Sequence, residues 1–310
     1  MLYYPVFIPT LNRYNHFRNC VESLAKCKGA METELVIGLD YPPSKEYEDG
    51  YLKIKEYLPY ITGFKKITIF ESSYNLGPGK NAQRLKDYCF KHYDAAIGTE
   101  DDNIFAPTYL EFINSGLEFY KNNKSIMTIC GYTPAFLYNY KYDGLLTHDS
   151  SAWGLGIWRD KENWPRDFEY LEKVFFSWKK MWKIYINYPL LIPTIGFMYN
   201  NKVIYGDAIR CIKNIIDKQF QFRPSISLVR NMGQDGSGLH SGTKFKERYH
   251  NQILSNKQSY FIREKTKVLK IPFYKTIFQG LPNNKIIAIK GILFFGIKYA
   301  WFRISKQNNF

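Results

Sequence analysis

Ala95-Ala96-Ile97-Gly98-Thr99-Glu100-Asp101-Asp102-Asn103 is the stretch whose reading decides the fold: an apolar run that ends in three carboxylates. Ala95 to Thr99 reads as a buried strand, and Ile104-Phe105-Ala106-Pro107 follows the triplet. Carboxylates gathered at the end of a buried strand repel one another and are costly to desolvate unless a cation or hydrogen-bond donors compensate them. A positive group is therefore expected there. On these residues alone two readings stand: a divalent metal carrying a diphosphate, or an acidic turn capping a helix opened by Pro107.

Working outward, apolar strands and amphipathic helices alternate. Tyr3 to Ile8 reads as a strand ended by Pro9-Thr10, and Phe17, Cys20, Val21 and Leu24 then fall on one helical face. Glu34 to Leu39 is a second strand, ending in Asp40, and Lys66 to Phe70 is a third. Asn75-Leu76-Gly77-Pro78-Gly79-Lys80-Asn81 is a glycine-rich turn opening a helix through Leu85 and Cys89, and the Ala95 strand is the fourth. This alternation predicts an α/β fold on a mostly parallel sheet, with ligands outside the carboxyl ends of its strands. Thr10, Asp40, Asn75 and Asp101 all follow strand ends and are expected along one edge. That common edge favours the metal reading of the triplet.

Beyond Phe105 the pattern is less regular. A helix is expected from Pro107 to Tyr120, a strand over Ile126 to Cys130, a helix around Asp207 to Ile216 and a strand over Ile226 to Val229. Ser150 to Trp158 sets Trp153 and Trp158 around Gly154 and Gly156, and reads as a loop whose backbone approaches something closely, with core packing as the alternative for either tryptophan. After Glu264 no acidic residue occurs, while Lys265, Lys267, Lys270, Lys275, Lys285, Lys290, Lys298, Arg303 and Lys306 alternate with apolar residues. Residues 265–310 are expected to lie on an anionic membrane surface, or else to pack as a helix on the catalytic domain. Residues 1–105 and 106–245 are expected to form the two halves of one domain, and 246–310 a basic, partly helical C-terminal region.

The chain has 310 residues, 45% of them hydrophobic, enough for a large core. A formal charge of +15 and a pI near 9.3 point to an anionic partner. The five cysteines form no C-x-x-C pair, which speaks against a zinc site or a disulfide framework and fits a reducing compartment. The N-terminus lacks the pattern of a signal peptide, so the cytoplasm, with attachment to the inner face of its membrane, is the expected location.

These motifs, in this order, resemble the GT-A-fold glycosyltransferases that use nucleotide sugars, over roughly residues 3–245. Phe7-Ile8-Pro9-Thr10-Leu11-Asn12-Arg13 resembles that family's first strand and nucleotide-binding turn, and Glu100-Asp101-Asp102 its DXD motif, in the Glu-Asp-Asp form of certain N-acetylglucosaminyltransferases. Trp153 to Trp158, Asp207, Asn231-Met232-Gly233 and His240 are similar to segments of bacterial polysaccharide transferases, although Tyr205-Gly206 stands where a tryptophan commonly precedes the aspartate.

The resemblance implies a Rossmann-like GT-A fold, with residues 1–105 as its nucleotide-sugar-binding half and 106–245 as its acceptor and catalytic half. It also implies a metal-dependent, inverting transfer from a UDP-sugar to a glycan or lipid-linked oligosaccharide, in cell-surface polysaccharide synthesis. It implies donor contacts by Pro9, Thr10, Asn12, Arg13, Asp40, Asn75, Gly77, Lys80, Glu100 and Asp101. Trp153, Gly154, Leu155 and Gly156 would form a donor and acceptor loop. Asp102 and His240 would hold Mn2+ or Mg2+, and Asp207 would be the base, with Glu169 or Asp160 as substitutes. A basic nucleic-acid-binding protein and a nucleotidyltransferase are the alternatives; no nucleic-acid-binding motif is present, and no nucleic-acid partner is expected.

Overall fold

In the computed structural model, residues 1–165, 167–188, 191–238 and 252–270, with Leu293 and Ile297, are described below. The first strand, β1 (Val6–Thr10), leads into α1 (Tyr14–Ala25), whose apolar face buries Phe17, Cys20, Val21 and Leu24. There follow β2 (Glu34–Leu39), α2 (Glu48–Tyr57), β3 (Lys66–Glu71), α3 (Pro78–His92) and β4 (Ala95–Gly98). The middle of the chain forms β5 (Asn103–Phe105), α4 (Tyr109–Phe119), β6 (Ile126–Cys130), β7 (Gly144–Thr147) and β8 (Leu155–Trp158). Helices α5 (Phe168–Phe175), α6 (Trp178–Asn187), α7 (Leu191–Asn201) and α8 (Gly206–Asp217) precede β9 (Phe220–Pro224), β10 (Val229–Asn231) and β11 (Val268–Lys270).

Nine strands pair in the order β11-β7-β9-β6-β8-β4-β1-β2-β3. β1 pairs in parallel with β2, from Val6↔Leu35 to Thr10↔Leu39, and with β4 at Val6↔Ile97; β2 pairs in parallel with β3. Helix α3 packs on β1, β2 and β4, and α4 on β6 and β8. The α/β architecture expected from the alternation is thus present, and Thr10, Asp40 and Thr99 all follow or end parallel strands at their carboxyl ends.

Two local expectations need correction. The Ser150–Trp158 segment is not all loop: Leu155–Trp158 is strand β8, antiparallel to both β4 and β6. Gly156 fits because a Cβ there would lie 2.8 Å from the Ile113 methyl, and the Trp158 indole is core, its Nε1 donating to the Leu117 carbonyl at 3.1 Å. The acidic triplet does not cap the helix after Pro107 either. It runs into β5, and Thr108 occupies the N-cap position of α4.

The described chain divides into two units, one made of residues 1–145, 151–162 and 222–268, the other of 146–150, 163–221 and 269–310. The units interleave along the chain. The second unit has its own helical core, with Leu171, Val174, Met181, Ile184, Ile195, Met198, Ile209 and Ile212 buried and the Phe175 and Tyr199 rings stacked at 4.3 Å. Asp167 and Ser177 cap α5 and α6, accepting from the amides of Tyr170 and Lys180.

In the first unit Glu34 ties three elements. Its buried carboxylate accepts from Lys66 Nζ, Thr68 Oγ1 and Tyr88 Oη, and from Tyr93 Oη at 2.8 Å. Burial pushes its pKa up, but these donors outweigh burial and hold it at about 2. A depressed carboxylate stabilises the fold above its unfolded pKa, and that stability is lost as pH falls through the folded value. Glu34→Gln is therefore expected to cost about 2 kcal/mol at neutral pH. Urea melts should show this deficit shrinking between about pH 4.5 and pH 2.

Candidate active site

The site grows from the carboxyl ends of β1 and β4. Thr10, the last residue of β1, turns its hydroxyl to Asp101 and donates to Oδ2 at 2.8 Å. Three residues on, Arg13 occupies the N-cap position of α1 and extends its guanidinium over the same pair, Nη1 donating to Asp102 Oδ2 at 2.8 Å and Nη2 to Asp101 Oδ1. From β10, Asn231 Nδ2 donates to Asp102 Oδ1 at 2.6 Å and to Asn103 Oδ1 at 3.1 Å. β10 pairs antiparallel with β5, setting Asn231 opposite Asn103. The positive group required by the triplet is therefore supplied from within the chain, by Arg13.

Asp101 and Asp102 are 6% and 5% exposed, so their charges are held away from water. Burial raises the Asp101 pKa above the ordinary carboxylate value, against the pull of the Arg13 charge. Burial also works to lower the Arg13 pKa, and the two carboxylates more than reverse it. Gly233 closes over the cluster. A Cβ there would sit 2.0 Å from Asp102 Oδ2 and 3.1 Å from Arg13 Nη1, so only glycine lets the chain pass this close. The Gly233–Gly238 segment is tied to α1 by His16 Nε2 and Asp235 Oδ2, 2.8 Å apart.

Glu100 differs from its neighbours. It is exposed, and the Trp153 indole donates to its Oε2 at 2.9 Å; Tyr132 packs edge-on against Trp153 at 4.5 Å. Of the segment from Trp153 to Gly156, Trp153 thus reaches the triplet, whereas Leu155 and Gly156 are sheet interior.

Along the same sheet edge Asp40 is 3% exposed, and both of its oxygens are engaged. Oδ1 accepts from the amides of Leu76 and Tyr41 at 2.8 and 2.9 Å, and Oδ2 from the Gly77 amide at 2.9 Å. Asn75 Nδ2 donates to the Tyr41 carbonyl at 2.6 Å. Asp40 thus shapes the Asn75–Gly77 turn that opens α3. A Cβ built at Gly77 or Gly79 meets nothing within 4 Å, and Lys80 is exposed on the next residue: the helix N-terminus faces open space. Pro9 and Asn12 are half-buried in the β1 turn.

No model of a protein family matches the chain, and no curated protein matches its sequence. Solved structures do align with it. S. aureus TarS, residues 1–349, aligns at 16% identity over 50% of this chain and 47% of its own, with a TM-score of 0.34. The chain therefore spans about half of that structure. The mannosyltransferase PcManGT from Pyrobaculum calidifontis, in complex with GDP-Man and Mn2+, aligns at 10% identity over 69% of this chain and 74% of its own, TM-score 0.36. Mouse xyloside xylosyltransferase 1, in its apo form, aligns at 10% identity over 70% and 83%, TM-score 0.38. Two of these three are sugar transferases by name.

Whether the cluster suits a divalent cation follows from its donors. The four oxygens of Asp101 and Asp102 each accept one hydrogen bond, which leaves each about one lone pair. Among the described residues, no group of three or more His, Cys, Asp or Glu side chains stands ready to hold an ion. This donor set does not make an all-protein cage. It fits a cation that brings phosphate and water ligands with it, as Mg2+ and similar ions do at nucleotide sites.

His240, expected as a second metal ligand, lies outside the described residues, as does most of the segment 265–310. Asp207 is an exposed residue of the first turn of α8, in the second unit. Of its substitutes, Glu169 pairs with Lys173 on α5 and Asp160 is exposed after β8. Arg13 as partner of both aspartates, Asn231 and Gly233 are what reading by motif did not assign to these roles. The available signal was chemical: two buried carboxylates need a cation, and Arg13 is the first basic residue after the neighbouring strand.

Proposed function

We propose that the chain is a glycosyltransferase that moves a sugar from a nucleotide-diphosphate donor, a UDP-sugar in the first instance, to a hydroxyl of a glycan or lipid-linked oligosaccharide, with inversion, in the assembly of a cell-surface polysaccharide. The observation that carries this reading is the meeting of Thr10, Arg13, Asp101 and Asp102 at the carboxyl ends of adjacent parallel strands, beside the Asp40-held turn. Ligands of open α/β sheets bind at that edge. An anchor for the β1 turn alone would not require two neighbouring buried carboxylates, whose desolvation is costly.

In this reading Asp40, Asn75 and the β1 turn from Pro9 to Arg13 receive the nucleoside, and the Gly77 turn with Lys80 receives phosphate at the N-terminus of α3. Glu100 and Asp101 would reach the ribose or a water carried by the cation. A divalent cation, Mn2+ or Mg2+, held by Asp102 together with the donor's phosphates would neutralise the charge that develops on the departing diphosphate. Asp207 accepts the proton of the acceptor hydroxyl as its oxygen attacks the anomeric carbon and the bond to the diphosphate breaks. Trp153, held by Glu100, offers an aromatic surface to a sugar.

A screen of nucleotide sugars by thermal unfolding tests the reading, because selective binding stabilises the fold. At a hundred times Kd the expected gain is about 2.7 kcal/mol. One donor should raise Tm with Mn2+ or Mg2+ present and much less without it, while the metal alone leaves Tm unchanged. No shift with any nucleotide sugar would remove the assignment.

A further inference from the structure

The helical unit carries a surface that the transferase reading does not use. Helix α6, Trp178-Lys179-Lys180-Met181-Trp182-Lys183-Ile184-Tyr185-Ile186-Asn187, has its core-facing residues in place: Met181 and Ile184 are buried at 3% and 0% exposure. Its outward face should then be polar. Instead Trp178, Trp182 and Ile186, spaced i, i+4, i+8 on one stripe, are 57%, 50% and 42% exposed, with Lys179 beside them. Single exposed apolar residues need no explanation, but a stripe of two tryptophans and an isoleucine on a helix already packed by its other face marks a contact surface.

Three observations select the occupant. The rings are stacked on one another, Trp178 on Trp182 at 6.0 Å and 20°, Trp182 on Tyr185 at 5.6 Å and 18°. The three rings thus form one continuous, half-exposed aromatic row rather than a single isolated ring. Helix α6 contains three lysines and no acidic residue, and Lys183 directs its amine to the Ile216 carbonyl, leaving Lys179 on the outward stripe. The chain as a whole carries +15, which complements an anionic surface. Tryptophan and isoleucine with flanking lysine is the composition of a helix lying in the headgroup region of a bilayer.

We propose that the Trp178-Trp182-Ile186 stripe of α6 seats the helical unit on an anionic lipid surface. Among the described residues no helix is long and apolar enough to cross a membrane, so the contact is peripheral. The proposal does not rest on the transferase reading.

The full-length chain is centrifuged with vesicles of phosphatidylcholine, with and without phosphatidylglycerol, and compared with Trp178→Ser/Trp182→Ser and with Lys179→Glu. Wild type should bind the anionic vesicles and little of the neutral ones; the double variant should lose about tenfold in partitioning, and Lys179→Glu several-fold. The side chains are exposed, so both variants should keep the wild-type Tm, which is measured alongside. In a Trp301→Phe background, brominated lipid should quench tryptophan fluorescence, and Trp178→Phe/Trp182→Phe should abolish the quenching. Several results overturn the proposal: no vesicle binding by wild type, equal binding by the serine variant, binding without quenching, or a stripe whose loss abolishes only self-association or glycan binding.

Discussion

Arg13→Met is expected to destabilise the first unit by about 3–5 kcal/mol, the cost of leaving buried charge without its partner. Asp101 and Asp102 keep Thr10 and Asn231 as neutral donors in the variant, and lose their only described cation. Burial already holds the Asp101 pKa up, and without Arg13 no ion-paired cation among the described residues opposes it. A carboxyl whose folded pKa lies above its unfolded value weakens the fold when ionised and ceases to do so once protonated. The deficit of Arg13→Met should therefore shrink as pH falls through the raised folded pKa of Asp101, in the same direction as the Glu34→Gln deficit. Neutralising one acid, as in Arg13→Met/Asp101→Asn, should recover part of the loss. Urea melts of the three proteins check this; a deficit below about 1 kcal/mol, as for an exposed ion pair, would show that the pair is solvated.

Asp207→Asn is expected to lower kcat by about 10²- to 10⁴-fold, the usual contribution of a general base, with donor affinity unchanged. The competing role for Asp207 is electrostatic. An acid in the first turn of α8 favours the helix N-terminus by about 0.3–1 kcal/mol and does nothing for turnover. The two roles separate cleanly in one variant, since asparagine keeps the shape and removes the charge. Loss of kcat with an unchanged Kd for the donor assigns the base; a small drop in Tm with normal turnover leaves only the helix effect and turns attention to Glu169 and Asp160.

The parallel half of the fold is legible because β1, β2 and β4 are short apolar runs, with Asp40 directly after β2 and Thr99 directly after β4, although β1 runs on through Pro9 to Thr10 rather than stopping at them. The triplet itself announces a compensating cation. Which cation is not legible, since Arg13 lies 88 and 89 residues away and only the pairing of β1 with β4 brings the two turns together. β8 is hidden for a related reason. Two glycines beside tryptophans suggest a loop, yet Gly156 is glycine because Ile113 and Leu117 press on the strand. β9 is obscured by Pro224 at its end, and α7 by Pro193 in its first turn, both residues that read as breakers unless the element's edge is known.

The account turns on the acidic pair as the place where a donor diphosphate and its cation bind. Titrating the donor found by thermal screening into wild type and into Asp102→Ala, with and without Mn2+, tests this most directly. Wild type should bind at least tenfold more tightly with Mn2+ than without it, and Asp102→Ala should lose that difference while retaining the weaker, metal-free affinity. Equal metal dependence in both proteins would contradict the assignment of the triplet and leave Arg13, Asp101 and Asp102 as a purely structural cluster.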